Sequence, residues 1–234
     1  MTSLRSIALE RVWPTAASDV LAFTELKQDP LYEYIRPNQI LTYIEGASAF
    51  GRQAAEKLTY DGNLAPLMMQ IAESGTKVAF LDEIKRDGDK LIRAQYEHKP
   101  PVVYVYRPSL EQMDNFFLRS GFRVDQEDLM ALHMCHEWFH HLEQTRIGRT
   151  DQQLPKLVMR RVGPVTFKQG VESSREIAAH AFTQQVMGLP WSPLLLDVLI
   201  AQTERRMKKS LIRDYFHQLK SEFERATVAE MTPV

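Results

Sequence analysis

Residues 132–143 read LHMCHEWFHHLE and hold four of the seven histidines of the 234-residue chain, together with its only cysteine. Residues 136–140 form an H-E-x-x-H motif, with His136 and His140 at its ends. Residues four apart on an α-helix lie one turn apart on the same face, so both imidazoles can reach one metal ion. The stretch therefore predicts a helix that carries part of a Zn²⁺ site.

Glu137 directly follows the first of these histidines. It is offset from His136 by about 100° around the helix, so its carboxylate lies beside the metal ion and is not a ligand. A carboxylate in that place can take a proton from an attacking water and later deliver it to a leaving amine. Glu137 is therefore the predicted catalytic residue, as general base and acid in peptide hydrolysis.

The third ligand determines the class of zinc site. A metzincin has glycine and histidine where this chain has Glu143 and Arg146, so that class is excluded. Glu176 is the better candidate, because it lies on a later predicted helix whose small alanines allow a close approach. A His-His-Glu site keeps a fourth position open, as catalytic zinc requires. Asp151 and Glu172 stay open as alternative third ligands, the second with Glu176 then orienting a histidine.

Composition narrows the class of protein. Hydrophobic residues make up 44% and charged residues 25%, which is typical of a soluble globular chain. The net charge of −1 gives no reason to expect a nucleic acid or a membrane as partner. A single cysteine forms no internal disulfide, and the first residues contain no apolar stretch of signal-peptide length. We therefore expect a cytoplasmic protein that acts on a protein or peptide substrate, while the oligomeric state stays open.

Hydrophobic periodicity predicts an order of helices, then a short sheet, then helices. The predicted helices are 38–58, 64–74, 109–119, 126–146, 171–187 and one or two more in 193–227. The predicted strands, rich in β-branched and aromatic residues, are 77–84, 90–98 and 102–107. Residues 86–89 predict a hairpin turn, and Ser109 opens a capping box. This order indicates an α+β fold that is mostly helical, with a small central sheet of about three strands.

The residues after Glu176 continue a recognisable pattern. Ala179 and Phe182 follow it, and residues 186–190 read VMGLP. H-E-x-x-H followed by E-x-x-A-x-x-F and then an apolar residue, Gly or Leu, and Pro resembles the ImmA/IrrE family of zinc metallopeptidases. The resemblance covers about residues 45–190.

The resemblance implies a gluzincin-like peptidase with a zincin-like fold, in which His136, His140 and Glu176 bind Zn²⁺ and Glu137 is the base. It also implies a regulatory protein, such as a transcriptional repressor, as substrate. Trp138, Phe139 and His180 depart from the family, which has small residues and an asparagine there. With this resemblance we divide the chain as follows: an N-terminal extension (1–40), a zincin-like metallopeptidase domain (41–190) and a C-terminal helical extension packed on the same domain (191–234).

Three further residues are candidates for stabilising an oxyanion or for orienting a ligand. His180 lies one turn after Glu176 and faces the same way. His133 lies one turn before His136, where a surface histidine is the more common case. Tyr106 alternates with valines along a predicted strand, where packing is the usual role of a tyrosine.

A function of a different class is also open. The chain can be a catalytically idle, zinc-binding regulatory or interaction module, with Trp138 and Phe139 at a partner interface. The plainest alternative is a solvated polar stripe on a helix that binds no metal. Glu137 argues against a purely structural site, because such a site does not need that carboxylate.

Overall fold

The computed structural model of the chain describes residues 1–88 and 90–228. Its fold is α+β, as predicted: helices surround one three-stranded sheet and two separate hairpins. The helices are α1 (Ser18–Leu26), α2 (Pro37–Ala54), α3 (Leu64–Glu73), α4 (Arg107–Arg119), α5 (Gln126–Leu142), α6 (Thr150–Gln153), α7 (Ser173–Met187), α8 (Pro193–Glu204) and α9 (Lys209–Val228). None of the helices in the described ranges is long and apolar enough to cross a bilayer.

The strands are β1 (Lys77–Leu81), β2 (Lys85–Asp87), β3 (Lys90–Ile92), β4 (Ala94–His98), β5 (Pro101–Tyr106), β6 (Leu157–Val162) and β7 (Val165–Gln169). The central sheet has the order β1-β5-β4, with β1 parallel and β4 antiparallel to β5. Val103 and Val105 on the middle strand are fully buried, since β-branched residues pack well on a covered sheet face. The predicted sheet of about three strands is thus confirmed.

Two local predictions need correction. The predicted strand 90–98 is two strands, because β3 pairs with β2 while β4 pairs with β5. The predicted hairpin turn connects β2 and β3, although Asp89 lies outside the described residues. The predicted capping box at Ser109 is wrong: α4 begins directly after β5 at Arg107, and the Ser109 hydroxyl donates to the Ile92 carbonyl at 2.9 Å. Ser109 therefore joins α4 to β3.

A close contact between α2 and α7 supports the centre of the fold. A Cβ atom at Gly51 would lie 2.1 Å from the backbone oxygen of Ala178, so only glycine fits at this crossing. Ala178 and Ala179 are fully buried, which lets α7 approach both α2 and α5. The predicted role of these small alanines is confirmed, because α5 and α7 are direct neighbours.

The segments on either side of residues 41–190 contribute to the same hydrophobic core. The buried Asp128 on α5 accepts hydrogen bonds from the Ser3 hydroxyl at 2.8 Å and the Leu4 amide at 2.7 Å. The indole of Trp191 donates to the Ile7 carbonyl at 2.9 Å. These long-range bonds attach the first residues of the chain to α5 and to the segment before α8.

Candidate metal centre

Helix α5 places His136 and His140 on one face. Its first turn is capped by Asp125, whose carboxylate accepts from the Glu127 amide at 3.1 Å. Cys135 and Phe139, on the adjacent core-facing side, are completely buried. The helix is therefore held in one orientation, which aims the two imidazoles at the facing helix α7.

Glu176 on α7 meets both imidazoles. The distance is 3.1 Å from His136 Nε2 to one carboxylate oxygen and 3.3 Å from His140 Nε2 to the other. Atoms that bind one Zn²⁺ ion at 2.0–2.1 Å with tetrahedral angles lie about 3.3 Å from one another. The three side chains offer ligand atoms within 4.8 Å of one another, so the donor set and its spacing fit a zinc ion.

In the absence of a cation, His136 and His140 are linked to the Glu176 carboxylate by hydrogen bonds that hold protons in the site. Burial lowers the pKa of an imidazole, but the hydrogen bonds to Glu143 and Glu176 outweigh it and raise the pKa of His140 to about 10. The same balance, with Glu176 as partner, raises the pKa of His136. Burial raises the pKa of a carboxyl, yet the two histidines hold the pKa of Glu176 well below its usual value. A cation placed between them would replace these protons.

Glu143 is a functional residue that the sequence reasoning missed. Its side chain is fully buried, and it accepts a hydrogen bond from His140 Nδ1 at 3.1 Å. It also accepts from the amide and hydroxyl of Thr150, both at 2.7 Å, and from Arg175 Nε at 2.9 Å. This bond assigns the Nδ1 proton of His140, so Nε2 is left to face the site. A π-helical turn at Glu143–Ile147 continues α5 and contains this carboxylate.

Glu137 lies beside the three ligands and contacts the sheet. Its carboxylate accepts a hydrogen bond from the Tyr96 amide of β4 at 2.7 Å. The Tyr96 hydroxyl bonds Nδ1 of His141, one turn further along α5, at 3.0 Å. Tyr96 therefore fastens the edge strand to α5 at two points, and the backbone of β4 orients the Glu137 carboxylate.

A cleft of about 190 Å³ opens beside the site, between β3, β4, α5, α7 and α8. Glu137 and Glu176 lie on its walls. Arg93 and Asp197, which also line it, form an ion pair that links the sheet to α8. Arg93 Nη2 additionally donates to the Gln112 side chain at 2.8 Å. The sequence reasoning missed this pair, because its members lie 104 positions apart and no local pattern connects them.

His180 and His133 also line the cleft. The ring centres of His180 and His136 are 4.6 Å apart, and His180 Nδ1 is buried with no hydrogen-bond partner in the described residues. His133 Nε2 lies 2.8 Å from the sulfur of Met113. Burial lowers the pKa of both histidines to about 3, so both are neutral. They are wall residues of the cleft and lie outside the ligand cluster.

Three other candidates lie away from the ligands. The Glu172 side chain is 68% exposed and faces Arg149 at 3.6 Å, so the alternative that made it a zinc ligand is wrong. Asp151 is held by Arg149 Nε at 2.9 Å and is also outside the cluster. Tyr106 is buried against the Lys85 ammonium group, and the cleft is lined by other residues, so the packing interpretation fits it better.

Trp138 and Phe139 are core residues, which corrects their predicted place at a partner interface. Both are buried, with Trp138 Nε1 donating to the Ser74 hydroxyl at 3.0 Å. Phe139 packs on Phe182 of α7 with ring centres 5.3 Å apart. His141 points away from the site, and its Nε2 donates to the Ser74 carbonyl at 2.9 Å. The bulky pair thus packs α5 against α3 and α7.

Comparison of the chain with protein-family models, with curated proteins and with solved structures gives no significant match. The likeness to the ImmA/IrrE family therefore rests on the motif residues and stays a prediction.

Proposed function

We propose that the chain is a zinc-dependent metallopeptidase of the ImmA/IrrE type. In this proposal His136, His140 and Glu176 hold Zn²⁺, and Glu137 is the general base and acid. The observation that carries it is the convergence of two imidazole nitrogens and one carboxylate at zinc-ligand spacing, with a second carboxylate beside them. Two histidines and one glutamate form a donor set that suits catalytic zinc.

When bound, Zn²⁺ supplies Lewis-acid polarisation of a carbonyl and lowers the pKa of a water. Glu137 then has a defined task, since its Tyr96 hydrogen bond keeps the carboxylate at the cleft wall. Its other oxygen accepts no hydrogen bond in the described part of the chain and is free to take a proton. Glu137 accepts the proton of the attacking water and passes it to the nitrogen of the leaving group.

The residues around the cleft favour an extended polypeptide as substrate. β4 is an edge strand, with β5 on one side and Glu137 on the other. An edge strand pairs with an extended chain through backbone hydrogen bonds. The cleft of about 190 Å³, whose lining includes Arg93 and Leu132, has room for a side chain of such a substrate. We further propose that the substrate is a regulatory protein and that the enzyme works in the cytoplasm, where its buried cysteine stays reduced.

Two measurements test this function. Elemental analysis should find about one zinc per chain, lost in His140→Ala and Glu176→Ala. The zinc-loaded protein should cleave members of a peptide library, and Glu137→Gln should retain zinc but lose turnover by a factor on the order of 10² or more. Glu172→Gln removes an exposed carboxylate near the site and should retain both zinc and turnover.

Each result has a different meaning. Full peptidase activity in Glu137→Gln would refute the assigned base. Zinc binding without cleavage of any peptide would favour the catalytically idle module. A protein that binds no zinc after loading would overturn both readings.

A further inference from the structure

The hairpin formed by β6 and β7, here called the hairpin arm (residues 157–169), has no assigned role in the proposed chemistry. At its base, Leu157 is buried and Met159 packs against the core. Every residue of β7 is exposed, and so are the last three residues of β6. Four apolar side chains of the arm are about half exposed: Val158, Val162, Val165 and Phe167. A two-stranded hairpin with so little cover is only marginally stable in water by itself.

The hairpin arm is also strongly basic. Four cations lie on it or next to it: Lys156, Arg160, Arg161 and Lys168. Residues 152–171 contain no aspartate or glutamate, although the whole chain has a net charge of −1. Within the described residues, none of the four cations forms an ion pair. The arm therefore concentrates positive charge that the protein itself does not neutralise.

Apolar and basic residues are layered along the arm. Val162 and Val165 form the pair at the tip, next to the turn. Arg161 lies one pair behind them, and the cross-strand pair of Arg160 and Phe167 follows. At about 3.3 Å per residue, these cations lie about 3–7 Å behind the tip. Side chains of alternate pairs share a face, so the tip valines and Phe167 lie on one face, with Arg160 behind them beside Phe167.

We propose that the hairpin arm binds the surface of a bilayer that contains anionic phospholipid. The apolar tip would enter the boundary between headgroups and acyl chains, where amphipathic elements insert by about 5–10 Å. The arginines and Lys168 would then lie level with the phosphates. This inference is independent of the proposed peptidase function. It revises the expectation of no membrane partner, which came from the net charge of the chain. The described residues contain no helix that could span a bilayer, but binding at a bilayer surface does not need one.

The apolar residues of the arm favour a lipid surface over other anionic partners. An acidic peptide would pair with the cations but would leave the half-exposed valines and Phe167 in contact with water. Nucleic acid is read by polar side chains in its grooves, yet the tip pair of this arm is valine on both strands. A bilayer surface can bury the valines among its acyl chains while its phosphates contact the cations behind them.

The test is co-sedimentation of the full chain with phosphatidylcholine vesicles, with and without phosphatidylserine. We expect binding only with phosphatidylserine, weakened by added salt. Arg160→Gln with Arg161→Gln should reduce binding about fivefold per cation removed. Val165→Ser with Phe167→Ser should reduce it on the order of tenfold. The matched control is Arg205→Gln with Arg206→Gln, which removes the same charge between α8 and α9 and should leave binding unchanged.

Three outcomes would overturn the proposal. One is no binding to either vesicle, and another is equal binding to both. The third is an equal loss in the control pair, which would show a general charge effect. A parallel measurement uses a polyglutamate peptide in place of vesicles. If the chain binds this peptide through the hairpin arm and binds no vesicles, the partner is an acidic polypeptide and the lipid proposal is wrong.

Discussion

Removal of the Glu143 carboxylate gives a sharp test of how the metal centre is built. This side chain is fully buried and holds His140 Nδ1 at 3.1 Å. Loss of a carboxylate that orients a ligating histidine costs about 10–100-fold in metal affinity. That loss corresponds to about 1.4–2.7 kcal/mol. We therefore expect Glu143→Gln to raise the zinc dissociation constant by one to two orders of magnitude.

The same substitution should lower the stability of the metal-free fold. Arg175 loses its anionic partner, while its side chain is only 21% exposed. An uncompensated buried charge costs about 3–5 kcal/mol, and the partial exposure of Arg175 places the expected loss near the lower value. Urea unfolding of the metal-free protein, followed by circular dichroism, measures this loss. Zinc affinity is measured on the folded protein, without urea, by competition with a chelator.

The matched control is Glu172→Gln, which makes the same chemical change next to α7. Its side chain is largely exposed, and Arg149 is its one ion-pair partner among the described residues, so zinc affinity should stay within about twofold of the parent. A dissociation constant unchanged in Glu143→Gln, with the protein folded, would refute the assigned role of this carboxylate. An equal loss of zinc affinity in both variants would show that the affinity depends only on the net charge near the site.

Three further predictions concern other parts of the molecule. Gly51→Ala should destabilise the fold by about 1–3 kcal/mol or more in urea unfolding, because its new methyl group meets the Ala178 backbone. Gly46→Ala meets only the end of a flexible leucine side chain and should cost less. The Cys135 thiol is fully buried, which raises its pKa, so it should react with a thiol reagent only after denaturation. The pKa of His140 is raised to about 10 in the folded protein, so protonated His140 stabilises the metal-free fold. This stabilisation is complete below about pH 6.5 and is lost as the pH rises through about 10. The melting temperature of the metal-free protein should therefore fall across that range.

The parts of the site that follow local periodicity could be predicted from the sequence. The spacing of His136 and His140 indicates one helix face, and the alanines beside Glu176 indicate a helix that can approach closely. The central sheet also follows from its β-branched segments. Its order could not be predicted, because the parallel pairing of β1 with β5 depends on contacts between distant residues.

The errors have physical causes. Glu143 lies three residues after His140, where helix side chains can meet, but this position was considered only as a departure from the metzincin motif. Its other partners, Thr150 and Arg175, lie 7 and 32 positions away, so its burial could not be predicted from a local pattern. The Ser109 motif has the residues of a capping box, yet α4 begins two residues earlier, where the chain leaves β5. The hairpin arm was missed because paired arginines interrupt its apolar alternation.

The bonds that fasten the first residues of the chain have a consequence for its synthesis. The Ile7 carbonyl is paired with Trp191, 184 positions later, and Ser3 with Asp128, 125 positions later. On a ribosome that adds about 5–20 residues per second, the start of the chain waits roughly 10–40 s for the more distant partner. During that time Leu4 and Leu9, which are fully buried in the folded protein, stay exposed because the core around them is incomplete. We expect a nascent chain that depends on protection of this segment until Trp191 has been synthesised.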